Sequence, residues 1–186
     1  MTSTIQAPPA ISPVLRKLYF VRFGFAVVWA VLIALTASTL GPLSIALLIL
    51  YPLFDAAAAV VDHRASRATR PGPLLLVNMA LSLVTAVALG VAVTSGVPAV
   101  LVVWGVWAIT AGAVQLAVAI SRLRFGGQWP MILSGGISTL AGTGFILMSG
   151  SSSAALTGVA GYATLGGVFF LLSAIRLQRL AKAGTR

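Results

Sequence analysis

Apolar residues in this chain run in long blocks, and the polar positions fall between the blocks rather than at a regular period within them. One block, Ala99 to Ser121, carries no charge, and two arginines follow at Arg122 and Arg124. An uncharged helix of about 20 residues crosses a hydrocarbon core of about 30 Å. The same design returns near the end as GVAGYATLGGVFFLLSAIRLQR, closed by Arg176 and Arg179. Breaks at Gly41-Pro42, Pro71-Gly72-Pro73, Ser95 to Pro98, Gly126-Gly127 and Gly150 to Ser153 divide the chain into six such blocks. Helices are therefore predicted at about 13–38, 43–61, 74–94, 99–121, 129–149 and 154–177. Ser12-Pro13 reads as a helix cap followed by proline at the first helical position.

Composition turns these blocks into membrane spans. Hydrophobic residues make up 59% of the 186, charged residues 8%, and the mean hydropathy is +1.07. A soluble domain carries about 25% charged residues, so this chain could not cover its surface with polar groups. The expected fold is all-α: a polytopic membrane domain over 13–179, preceded by a loose tail at 1–12 and followed by a basic tail at 180–186. The first residues lack the basic segment, apolar core and cleavage site of a signal peptide. With no cysteine, disulfides, thiolate chemistry and cysteine-held metals are excluded.

Charge then sets the topology. The net charge is +10, which on a soluble chain would point to nucleic acid. Here Arg16, Lys17, Arg22, Arg64, Arg67, Arg70, Arg122, Arg124, Arg176, Arg179, Lys182 and Arg186 occupy the N-terminal region, alternate loops and the C-terminal tail. The other three turns hold no charge. This is the positive-inside pattern, with anionic lipids rather than nucleic acid as the natural partners of Arg16, Lys17, Arg64, Arg67, Arg70, Arg122, Arg124, Arg176 and Arg179. Both termini are expected in the cytosol. Three hairpins with short outer turns form a parallel repeat, in which placing Arg122 over Arg176 brings Gly112 over Gly166. It is not the inverted repeat of alternating-access carriers.

The segment VWGVWAITAGAVQLAVAISRLR followed by WPMILSGGISTLAGTGFIL resembles the HdeD family of small bacterial membrane proteins. Gly105, Trp107, Gly112, Leu116 and Ala119 fit the family's even-numbered helix, and Trp129, Leu133, Gly136 and Gly142 or Gly144 its odd one. Arg22-Phe23-Gly24 is similar to the start of the family's first helix, while Gln115 stands where relatives often carry glutamate. The resemblance covers about 16–179. It implies a bacterial inner membrane and a role near acid or envelope stress, with no settled catalytic site.

Glycine and serine stripes have a packing explanation, because lipid supplies no hydrophobic drive between helices and small residues let backbones approach. Ser134, Ser138 and Gly142 form one such stripe; Ser82, Ala86 and Gly90 form another, and Ala108 and Gly112 a third. Their number leaves room for a homo-oligomer or another membrane partner. Polar residues inside the spans carry more information. At about 1.5 Å per residue, Arg22, Asn78 and Gln115 lie roughly 24 Å from the outer end and Asp55 roughly 18 Å, with Tyr51 one turn above it. An intramembrane carboxylate must face the interior and be paired or protonated. The layer is either a hydrogen-bonded latch or a protonatable switch beside a polar cavity. Asp62, His63 and Arg64 read as a solvated loop.

Enzyme chemistry is disfavoured. Two aspartates, one histidine and no cysteine leave almost no nucleophile–base pair, and no cofactor or metal is expected. The favoured function is a non-catalytic membrane protein supporting envelope or acid-stress tolerance through helix, lipid or partner packing. The alternative is a small channel or transporter for protons or small solutes.

Overall fold

The computed structural model describes residues 13–65, 72–121, 123, 129–152 and 154–183. Among them are six membrane-length helices: α1 (Pro13–Thr36), α2 (Pro42–Ala65), α3 (Gly72–Ala92), α4 (Val97–Ser121), α5 (Trp129–Ser149) and α6 (Thr157–Ala183). The chain is an all-α, multi-pass integral membrane protein. Proline stands at the first or second position of the first five helices, at Pro13, Pro42, Pro73, Pro98 and Pro130. There the missing N–H is one the helix would leave unpaired anyway. A 3-10 turn (Val93–Ser95) and Gly96, at φ 90°, join α3 to α4. That left-handed backbone suits glycine.

Two helices, α2 and α6, differ from expectation at their ends. α2 runs four residues beyond Val61, so Asp62, His63 and Arg64 belong to its last turn rather than to a loop. α6 starts three residues late and continues to Ala183, into the expected tail. Neither extension holds a glycine or proline to stop it, and that of α6 consists of good helix formers. The expected tail at 1–12 and the residues after Ala183 lie outside the described residues.

The six helices close into a ring. Each is antiparallel to the next, and α6 returns beside α1. The tightest seams are α4–α5, α1–α6 and α2–α3, which join successive hairpins rather than the two arms of one. Glycine explains the tightest. A Cβ on Gly105 would sit 2.6 Å from the Gly142 carbonyl oxygen, and one on Gly112 2.8 Å from that of Gly135. Two glycines seven residues apart on each helix thus face each other across an antiparallel crossing. The Gly112, Ser138 and Gly142 stripe positions fall in this interface, completed by Gly105 and Gly135. By contrast, Gly136 and Gly144 have open space where a side chain would be.

The halves of the bundle differ. Toward the uncharged turns it is dry and full: Trp29, Ile33, Leu48, Leu89, Leu101, Trp104, Leu156 and Val159 are all at most 1% exposed. Toward the basic end the helices part around a cavity. The loosest seam is α5–α6. Its hydrogen bond and ring contact, Tyr162 to Ser138 at 3.1 Å and Phe145 against Tyr162 at 5.8 Å, lie where the dry half begins.

Candidate functional site

Asp55 is the hub of the polar layer. It sits on α2 one turn beyond Pro52, whose missing N–H removes one backbone bond from the helix. Arg22 on α1 donates to its Oδ1 from Nη2, forming a salt bridge. Asn78 Nδ2 at 3.0 Å and Ser82 Oγ at 2.9 Å, both on α3, donate to Oδ2. Ser82 in turn accepts from the Trp107 indole of α4 at 3.3 Å. One carboxylate therefore ties four helices together. The pair is mostly shielded, with side-chain exposures of 15% for Arg22 and 13% for Asp55. The Arg22 guanidinium also lies over the Phe170 ring of α6, 4.1 Å from its centroid, an attraction that strengthens away from water.

Beside this hub lies a cavity of about 180 Å³ walled by all six helices. Its deep end is aromatic. Tyr51, Trp107 and Tyr162 form it, and Tyr51 also packs on Trp29 at 4.5 Å and Trp104 at 5.6 Å. Those two tryptophans stack at 5.4 Å and seal the space from the dry half. Trp29 is locked by its indole N–H, which donates to the Leu47 carbonyl at 2.6 Å. The other end reaches Asp62, Leu74, Pro130 and Met131, at the basic end of the bundle. Between the two lie Arg22, Asp55, Asn78, Gln115 and Ser134. Six aromatic rings line the whole, since Tyr19, Phe169 and Phe170 join the three at the deep end.

The five residues singled out as an intramembrane layer, Arg22, Tyr51, Asp55, Asn78 and Gln115, all line this cavity. Four of them gather on the hub or against it. Gln115 does not. Its Nε2 donates to the Met131 carbonyl at 3.1 Å, bracing α4 on α5 instead. Trp107, Ser134, Ser138, Tyr162 and Ser173 add polar atoms to the lining beyond that layer, and Ser82 joins the hub from outside the lining. Ser82 had a signal in the sequence, since it stands one helical turn from Asn78 on the same face of α3.

The chain matches no protein-family model, no curated protein and no solved structure. At the rim, Lys17, Arg64 and Arg179 are exposed and Arg16 and Arg176 half-buried. Arg67, Arg70, Arg122 and Arg124, the other expected lipid contacts, lie outside the described residues. His63 has a buried Nδ1 with no hydrogen-bond partner among the described residues. No group of three or more metal-ligating side chains occurs among the described residues.

Proposed function

We propose that this protein is a non-catalytic membrane protein of the bacterial inner membrane, with both termini in the cytosol, that takes a small molecule into a one-ended cavity from the cytosolic side. One observation carries this: the polar, aromatic-lined cavity spans only the basic half of the bundle and stops against a dry plug of tryptophan and aliphatic side chains. Convergent polar groups in a concave, largely aromatic pocket are the usual form of a ligand site. Orientation is supported by the charge pattern, because lysine and arginine in short loops resist translocation. In the cell, the resemblance to the HdeD family connects such binding to envelope or acid stress.

Conduction fits less well. A proton path strings ionisable groups across the bilayer, whereas both carboxylates of this chain line the cavity and the uncharged half offers only hydroxyls. The discriminating experiment uses purified protein in liposomes holding a pH gradient, read with an acidity-sensitive dye. The gradient should persist as it does in empty liposomes. Faster collapse with protein present would replace the binding reading with the channel reading.

A further inference from the structure

The basic end of the bundle carries a second concavity, on its outer wall. An open groove of about 640 Å³ runs between α1 and α6, lined among the described residues by Pro13, Arg16, Lys17, Phe20 and Val21 of α1 and Gln178 of α6. It shares no lining residue with the central cavity. Its α1 positions recur at steps of three and four, so they form one face of that helix.

Two features set this groove apart from the rest of the basic rim. The first is that its cations are unengaged. Arg22, six residues further along α1, is held by Asp55 and Phe170, and Arg176 has a partner. Arg16 and Lys17 have no ion pair or hydrogen bond among the described residues. The only two acids of the chain, Asp55 and Asp62, line the central cavity instead. Two positive charges therefore face one concavity with no acid in its lining, and an anion placed between them relieves their repulsion.

The second feature is a step from polar to apolar along the groove. Phe20 and Val21, one turn beyond Arg16 and Lys17, are exposed. The exposed strip continues through Gly24, where a Cβ would meet nothing within 4 Å, to Val28. Four residues of helix rise about 6 Å, which is the step from the headgroup layer to the edge of the hydrocarbon core. A soluble anion would use the two cations and leave the apolar strip bare. A phospholipid uses both.

We infer that this groove binds one anionic phospholipid of the adjoining leaflet, its phosphate between Arg16 and Lys17 and an acyl chain along Phe20, Val21 and Gly24. The Arg16 guanidinium offers parallel N–H donors to two phosphate oxygens, and the Lys17 ammonium adds a compact charge. Gln178 supplies an amide from α6, so the lipid spans the seam between the two helices. A zwitterionic headgroup brings its own ammonium, which offsets the phosphate and weakens the attraction. Each basic residue near an anionic surface is worth about fivefold in binding.

The test incubates the full chain in mild detergent with equal amounts of phosphatidylglycerol and phosphatidylethanolamine of matched chains, and counts bound lipid by native mass spectrometry. A single phosphatidylglycerol adduct should exceed the phosphatidylethanolamine adduct at least fivefold. Arg16→Gln with Lys17→Gln should lower that adduct at least tenfold, whereas Arg16→Lys with Lys17→Arg should keep it. Arg64→Gln removes an exposed rim charge outside the groove and should change the adduct less than twofold. Gly24→Phe fills the path of the chain without touching either cation, and should lower the adduct at least threefold. Equal retention of the two lipids overturns the proposal. So does a loss with Arg64→Gln as large as with the double glutamine change, which would make the preference a property of the whole basic rim. Displacement of the lipid by excess glycerol phosphate would make the groove a site for soluble phosphate and overturn the lipid assignment.

Discussion

Replacing Asp55 with alanine removes the one acceptor that joins Arg22, Asn78 and Ser82. The largest loss is electrostatic. Arg22 keeps its charge within the span; a lone arginine at the helix centre costs about 2.5 to 3.5 kcal/mol on insertion scales, an upper bound for Arg22, which lies toward the basic end. The two α3 donors add about 0.6 kcal/mol each, the mean for an interhelical hydrogen bond in a membrane protein. The cavity beside the pair admits water and offsets part of this, so about 2 to 4 kcal/mol is expected. At about 2 to 4 °C per kcal/mol for a chain of this size, Asp55→Ala should melt roughly 5 to 15 °C below the parent in mild detergent, read by tryptophan fluorescence. Arg22→Leu alone strands the carboxylate and should cost a similar amount. The double variant strands nothing, and leucine can still cover Phe170. It should recover at least about 1 kcal/mol relative to the sum of the singles, because removing one member of a shielded pair costs more than removing both. Simple additivity of the two singles would refute the coupling.

Three further outcomes follow from the geometry. Gly142→Val should sharply reduce the yield of folded protein, because its Cβ would lie 2.5 Å from the Gly105 carbonyl oxygen; Gly136→Ala, facing open space, should melt within about 2 °C of the parent. Trp107→Phe should lower stability by about 0.5 to 1.5 kcal/mol in a denaturation series, reflecting the lost bond to Ser82. With no native cysteine in the way, a cysteine at Ser152 should react with an impermeant maleimide on intact cells and one at Val14 only after permeabilisation; the reverse pattern would invert the orientation.

The spans were legible because each requirement has a sequence signature: uncharged length, proline at the start, glycine or charge at the end. Trp129–Ser149 shows this best, having a Gly-Gly break before it and a serine cluster after it. The helix ends at Ala65 and Ala183 were not, since an alanine- and arginine-rich segment can leave the membrane without leaving the helix. Of the polar residues, Arg22 and Asp55 could be paired by depth alone, because a long arginine side chain tolerates an error of one turn. Gln115 lies at the right depth on the wrong side of α4 for Asp55, and depth does not report the rotation of a helix. The same limit applies to the glycines. Gly135 and Gly136 are adjacent in sequence, yet one meets α4 and the other meets nothing, and only the ring order of the helices decides between them.

That ring order has a consequence for biosynthesis. Spans leave the ribosome in sequence, but one of the closest partners of α1 is α6, made only after the four helices between them. The Arg22–Asp55–Asn78 link can form once three spans are in the bilayer. The Phe23 and Ala26 surface of α1, to which Gly167 is so close that a Cβ on it would lie 3.7 Å from Phe23 and 3.1 Å from Ala26, must wait until α6 has been made. Nascent chains halted before α6 should therefore hold their polar link and still present an open flank to the membrane. Helix α6 acts as the clasp that converts a row of inserted spans into a closed ring.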